Sequence, residues 1–397
     1  MAVTARGITF PVGFTAGAVA AGVKDGKPGR LDVALLAADR PCTAAAVLTT
    51  NQVIAAPLVV TRKHLAGGAL RGVIVNSGNA NACTGSQGER DALAMAAAAA
   101  AKLGCPVASV AVASTGVIGI PLPAERIARA AERIAPDAAG WDAFSRAIMT
   151  TDTRPKIAER EVWLAGKPVR IGGVAKGAGM IHPNMATLLV FLTTDALLDV
   201  PVAERLLREA VDTSFNAISV DGDTSTNDMA LLLASGASAV KPEGPEAAAF
   251  GVALTEVCAD LARQVVADGE GATKVFEVRV RGAATDEDAR LAARTITASS
   301  LVKTAVHGAD PNWGRILAAA GRSGALVDAR RASVRIGDID VFSGGSPASW
   351  DAAEVRRVFE GAEIVIALDL GLGNGTARAW GCDLSAEYVR VNSEYTT

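Results

Sequence analysis

The 397-residue chain is poor in several features that would otherwise decide its class. Aromatic residues make up only 4% of it, and its three histidines (His64, His182, His307) fall in separate segments. The five cysteines (Cys42, Cys83, Cys105, Cys258, Cys382) are odd in number and scattered, with no Cys-x-x-Cys pair. A zinc site needs closely spaced nitrogen and sulfur ligands, and a disulfide framework needs paired thiols, so neither is expected. Buried, reduced thiols in a cytoplasmic protein are the simpler expectation. Charge of one sign is also missing: 39 basic residues face 42 acidic ones, for a formal net charge of −3. Without a basic stripe no nucleic-acid partner is expected, and an anionic small substrate has to be met by local cations. No apolar run approaches the ~18 residues of a membrane span. The one stretch that imitates a signal peptide, 8–23, is interrupted by Pro11, Gly13, Gly17 and Gly22. A soluble protein without membrane contact, metal or cofactor is expected.

Half the residues are hydrophobic and 40 are glycine, a composition that packs through small side chains. The length exceeds one typical core and implies two domains or lobes. Val33–Leu36, Ala44–Leu48, Leu58–Val60 and Gly72–Val75 read as strands. A helix follows from about Glu89 to Leu103, ended by Gly104. Val107–Ala113 reads as a strand stopping at Ser114-Thr-Gly-Val-Ile-Gly119, and a helix begins near Pro123. Residues 172–186 are glycine-dense, and 187–194 has the pattern of a buried strand. Val202–Val211 and Glu246–Val266 have helical periodicity, whereas Val275–Val280 and Ile364–Leu370 are strand-like. Gly371-Leu-Gly-Asn-Gly375 lies between strands without a following helix, so it reads as a hairpin turn rather than a dinucleotide fingerprint. A domain boundary is expected in the 190s to 210s.

Thr187 begins the buried strand directly after the glycine-rich segment, the place an N-terminal nucleophile requires. A threonine hydroxyl needs a base. If the Ala186–Thr187 bond breaks, the new α-amine lies beside that hydroxyl with a pKa near 8 and serves as one. Gly172, Gly173, Gly177 and Gly179 permit a sharp backbone that would press the Thr187 oxygen onto the preceding carbonyl. From pattern alone, a threonine that merely starts a strand is an equal reading. Thr115-Gly116, at a strand tip, offers N–H groups and a hydroxyl to a tetrahedral oxyanion, or is an ordinary turn. Lys176 is a solvated loop lysine or a cation for a substrate carboxylate. Glu270, in Asp268-Gly-Glu-Gly-Ala-Thr-Lys274, is a loop carboxylate or a partner for a cationic substrate group. The spacing does not decide these. Residues 220–228 are dense in carboxylates and hydroxyls but lack the order and closing glutamate of an EF-hand, so calcium is the lesser reading. Residues 304–316 read as a turn capping a helix.

These residues resemble a known family. Lys176-Gly-Ala-Gly-Met-Ile-His-Pro-Asn-Met-Ala-Thr-Leu-Leu189 is similar to the cleavage-site signature of the ornithine acetyltransferase (ArgJ) family of arginine biosynthesis. Ser114-Thr-Gly-Val-Ile-Gly119, the segments 149–156, 214–227 and 268–274, Asp310-Pro-Asn-Trp-Gly-Arg315 and the ending 380–397 match it in order, over nearly the whole chain. Leu188, where methionine is frequent, is a small departure, and His182 occupies a tolerant position.

The resemblance implies self-cleavage into an α chain (1–186) and a β chain (187–397). It implies a glutamate N-acetyltransferase that moves the acetyl group of N2-acetylornithine through an acetyl-threonine to L-glutamate. Whether acetyl-CoA also serves as donor stays open. By residue match, Thr187 is the nucleophile and Thr115 with Gly116 the oxyanion hole. Thr153, Lys176, Glu270, Asn392 and Thr397 contact substrate, so the C-terminal tail should enter the site. The implied fold is a layered α/β sandwich, sheets inside and helices outside, similar to DmpA-type aminopeptidases of N-terminal-nucleophile type. The implied assembly is a heterotetramer of two α and two β chains. An amidase or aminopeptidase of related fold is the rival, and a non-catalytic metabolite-binding protein a more distant one.

Overall fold

Among the described residues, fifteen strands gather into two sheets. The computed structural model describes residues 6–24, 29–182, 188–361 and 363–394. In chain order the strands are β1 (Phe14–Val19), β2 (Val33–Leu48), β3 (Ala69–Asn79), β4 (Val110–Val117), β5 (Lys156–Leu164), β6 (Lys167–Lys176), β7 (Leu189–Thr194), β8 (Ile218–Ser219), β9 (Met229–Ala234), β10 (Val275–Ala283), β11 (Ser333–Ile336), β12 (Ile339–Ser343), β13 (Ser346–Pro347), β14 (Glu363–Asp369) and β15 (Gly375–Cys382). The helices are α1 (Ala56–Leu65), α2 (Gly85–Leu103), α3 (Ala124–Arg133), α4 (Trp141–Ala147), α5 (Val200–Asp212), α6 (Pro245–Ala267), α7 (Asp286–Thr297), α8 (Ser300–His307), α9 (Trp313–Gly321), α10 (Ala352–Phe359) and α11 (Ala386–Glu394).

The first sheet runs β4-β3-β2-β9-β7-β6-β5, with β1 paired to β2. Its central strands β7 and β9 are buried at every residue, which is why they read as unbroken apolar runs. Successive side chains point to opposite faces, so each strand feeds two cores. Val33, Leu35, Val110 and Val112 meet the alanine face of α2 and residues of α3. Leu36, Val75, Phe191 and Leu231 meet Phe144 of α4, whose ring lies edge-on to Phe191 at 5.3 Å. Val190, Leu192 and Leu232 share a third core with α5 and α6.

The second sheet runs β13-β12-β11-β14-β10-β15-β8, and its inner face packs on α7 and α9 within that third core. α6 touches both sheets and joins them. The architecture is thus α/β, two sheets flanked by helices. Among the described residues, no helix is long and apolar enough to cross a membrane.

Several local expectations are corrected. Leu58–Val60 lies in α1, started by Pro57 in its first turn; a three-residue apolar window fits either element. Val33–Leu36 and Ala44–Leu48 are two parts of one strand, whose register shifts between Ala37 and Cys42. Gly371–Gly375 is not a hairpin, because β14 and β15 flank β10 on opposite sides. The domain boundary does not fall in the 190s to 210s: β8 enters the second sheet, but β9 returns to the first. Gly172 and Gly173 lie in the extended strand β6, where they provide space rather than a turn. A Cβ on Gly172 would stand 1.9 Å from the Gly7 carbonyl oxygen, and one on Gly173 2.8 Å from Leu192 Cδ2.

Candidate active site

The tips of β3 and β4 come together because neither carries a Cβ. The strands are parallel and place Gly78 against Gly116. Gly78 (φ 98°) and Gly116 (φ 133°) adopt backbone angles that side chains resist, and a Cβ on Gly116 would lie 2.3 Å from the Gly78 carbonyl carbon. Amides hold the tips from below. Asn227 Nδ2 donates to the carbonyls of Ala80 (2.7 Å) and Ser114 (2.9 Å), and Ser114 Oγ donates to Asn76 Oδ1 (2.6 Å). The polar segment 220–228 is therefore a brace for the Thr115-Gly116 tip. Its Asp221 is likewise committed, accepting the N–H groups of Met180 (2.5 Å) and Ile181 (2.9 Å).

Lys176, at the end of β6, is fully buried rather than solvated. Its ammonium donates to Thr150 Oγ1 (2.9 Å) and Thr115 Oγ1 (3.3 Å), with Asp152 Oδ2 at 4.0 Å. Burial pulls its pKa below the usual lysine value, against the pull of Asp152. Asp152 is engaged more closely elsewhere: Oδ1 accepts from Lys156 Nζ (2.5 Å) and Gly177 N–H (2.7 Å), and Oδ2 from Thr150 N–H (2.9 Å). Burial opposes its ionisation, but Lys176 and Lys156 overcome this and hold the carboxyl at about 2. Lys156 also meets Asp268 Oδ2 at 2.5 Å. Two lysines and two aspartates thus balance in a closed cluster, and only Lys176 reaches from it to the cavity.

On the other side, Glu270 is set by its N–H donating to Ala178 O (2.9 Å). Gly179 leaves room for it, since a Cβ there would stand 2.5 Å from Glu270 Cδ. Asn392 Nδ2 on α11 donates to Glu270 Oε2 at 2.8 Å. The helix is docked through Ser385 Oγ donating to Gly271 O (2.6 Å) and Tyr388 OH to Asp221 Oδ2 (3.3 Å).

Thr115, Gly116, Lys176, Glu270 and Asn392, predicted from 277 residues of separation in sequence, line one cavity of about 180 Å³. Thr153 does not line it: its N–H and hydroxyl are both given to Asp268, and Thr150 and Thr151 line the cavity instead. Ala186, Thr187 and Thr397 lie outside the described residues. The residue after Thr187 is fixed, however. Leu188 N–H donates to Asp228 Oδ1 (2.8 Å) and Leu188 O accepts from Met229 N–H (3.0 Å). Burial pushes the Asp228 carboxyl well above the carboxylate range, and its Oδ2 has no hydrogen-bond partner among the described residues.

Sequence reasoning missed Asp152, Lys156, Asp268, Asn227 and Asp228, and also Lys24 and Arg30, which line the cavity. The local signals were the i,i+4 spacing of Asp152 and Lys156 and the polar density of 220–228, which holds Asn227 and Asp228. Among the described residues, no three or more His, Cys, Asp or Glu gather as metal ligands.

A buried cation, a glycine strand tip and a carboxylate thus line one small cavity. The chain belongs to the ArgJ family, whose model matches residues 15–397. It is similar to the arginine biosynthesis bifunctional protein ArgJ of Symbiobacterium thermophilum, 51% identical over 99% of both chains. The protein of the same name from Dehalococcoides mccartyi is 48% identical over 98% of this chain and 97% of that one. Among solved structures, ArgJ of Bacillus halodurans is 44% identical with a TM-score of 0.50, covering 52% of this chain and 98% of that one. An ornithine acetyltransferase from Mycobacterium tuberculosis, complexed with ornithine, is 42% identical with a TM-score of 0.42, covering 47% and 98%. By its family and its full-length relatives the chain is accordingly an acetyltransferase of arginine biosynthesis, as its motifs implied.

Proposed function

We propose that this chain cleaves itself before Thr187 and then carries acetyl from N2-acetylornithine to L-glutamate on that threonine. The observation that carries the reading is the buried Lys176 ammonium. It touches the Thr115 hydroxyl of the glycine strand tip and lines the same cavity as Glu270 and Asn392.

In maturation, Thr187 Oγ attacks the Ala186 carbonyl and the peptide C–N bond breaks, leaving an ester. Water hydrolyses the ester, giving the Ala186 carboxylate and a threonine with a free hydroxyl and α-amine. In transfer, that amine accepts the hydroxyl proton as Oγ attacks the acetyl carbon of N2-acetylornithine. Thr115 and the Gly116 N–H face the resulting oxyanion and stabilise it. Collapse breaks the acetyl C–N bond, the proton passes to the leaving nitrogen, and ornithine departs. The glutamate amine then attacks the acetyl ester by the same route in reverse. Lys176 pairs with the α-carboxylate common to both substrates, and Glu270 meets the ornithine ammonium. Thr153 acts through Asp268, and Thr397 contacts substrate.

The two halves, 1–186 and 187–397, stay together after the cut. β6 pairs with β7 and β2 with β9, so strands from both halves share the first sheet. The Bacillus halodurans chain, matched over 98% of its length by 52% of this one, has the length of one such half. Two α and two β chains form the cytoplasmic enzyme.

The test is a denaturing intact-mass spectrum after mixing with N2-acetylornithine and no glutamate. Two fragments are expected, the larger beginning at Thr187 and carrying an acetyl adduct that glutamate removes. Thr187→Ala should give one 40.3 kDa chain without adduct. A single unmodified chain from the wild type would overturn the proposal.

A further inference from the structure

The proposed reaction requires one cavity to hold two amino acids that share an α-carboxylate but end in opposite charges. Glu270 suits the ornithine ammonium and repels the glutamate side chain. With Lys176 assigned to the α-carboxylate, the remaining cations lining the cavity among the described residues are Lys24 and Arg30, from the segment between β1 and β2.

The described residues of that segment, 20–24 and 29–32, are built into the site rather than draped over it. Asp32 accepts the N–H groups of Ala21 (2.6 Å) and Val23 (2.7 Å), which closes the approach to Lys24. The Asp32 carbonyl accepts Ser77 N–H (2.9 Å), tying the segment to the β3 tip. Lys24 then packs over Gly78, where a Cβ would lie 3.0 Å from Lys24 Cβ. Arg30 Nη2 donates to the carbonyls of Met149 (2.5 Å) and Thr150 (3.3 Å). Thr150 therefore holds both cations, Arg30 through its carbonyl and Lys176 through its hydroxyl. Two cations spaced by one residue suit a dicarboxylic amino acid whose carboxylates are separated by a short aliphatic stem. An ω-ammonium substrate gains nothing at the Arg30 end and is drawn to Glu270.

We infer that Arg30, assisted by Lys24, receives the side-chain carboxylate of the glutamate acceptor and so sets acceptor selectivity. The inference rests on the acetyl-transfer reading above. It makes Arg30 and Lys24 binding residues for the second half-reaction alone.

The experiment uses the mature enzyme and its Arg30→Gln and Lys24→Gln variants, each loaded with acetyl from N2-acetylornithine and freed of donor. Loss of the acetyl adduct is then followed by intact mass against increasing glutamate or, separately, ornithine. The half-saturating glutamate concentration should rise roughly tenfold or more in Arg30→Gln, and by less in Lys24→Gln, as expected for loss of a charged hydrogen bond. Ornithine's should change less than about threefold on the same scale. If Arg30→Gln does not fold for want of its carbonyl contacts, Lys24→Gln decides through the same acceptor ratio. Equal shifts for both acceptors, or none for either, would overturn the assignment. A wild type that forms no adduct at all would instead remove the parent reading, and this one with it.

Discussion

Replacing Asp152 by asparagine tests the buried charge cluster behind the cavity. The substitution keeps the shape but puts an amide NH₂ where one oxygen accepted Thr150 N–H and faced the Lys176 ammonium. The remaining oxygen still accepts from Lys156 and Gly177, without a full charge. Displacement of the carboxyl from 3.8 to about 2, at about 1.4 kcal/mol per factor of ten, makes its ionised form worth about 2–3 kcal/mol to the fold. The sign follows from a depressed folded value. The contribution is complete above the unfolded pKa of 3.8 and disappears as pH falls through about 2. At pH 7 the variant should therefore melt a few degrees below the wild type. Between pH 4 and 2 the two curves should converge, because the wild type loses what the variant never had. Thermal scans at fixed rate across that range, followed by circular dichroism, provide the measurement. Equal midpoints at pH 7, or a gap that persists undiminished at pH 2, would refute the reasoning that Lys156 and Lys176 hold this carboxylate ionised.

The other predictions concern the cavity wall. Gly116→Ala forces a Cβ to within 2.3 Å of the Gly78 carbonyl carbon, so the tip of β4 must move. Acetyl-adduct formation should slow about a hundredfold or more while the chain remains folded, and a wild-type rate would remove the tip from the mechanism. Asn392→Ala withdraws the donor that holds Glu270 Oε2. Half-saturating N2-acetylornithine should rise roughly three- to tenfold. Half-saturating glutamate should stay within twofold of wild type on the same scale. Equal change in both would mean that α11 supports the fold of the site rather than Glu270.

What was legible in the sequence was chemistry carried on short segments. Thr115-Gly116 and Lys176 each end a strand, and Glu270 follows a helix; each stands beside glycines that let backbone approach backbone. The counter-ions were not legible, because charge pairing in a buried cluster depends on separation in space. Asp268 answers Lys156 across 112 positions, and no pattern within either segment announces the other. The same reason explains Thr153. Its motif marks it for the site, yet both its polar groups face Asp268 and its neighbour Thr150 presents the hydroxyl to Lys176. Strand pairing failed at Gly371–Gly375 for a related cause, since two adjacent runs with a turn between them need not pair when a third strand, β10, takes the place between them. Motif order fixed which residues meet, whereas the fold alone decides which of them faces the cavity and which stands behind it to hold the charge.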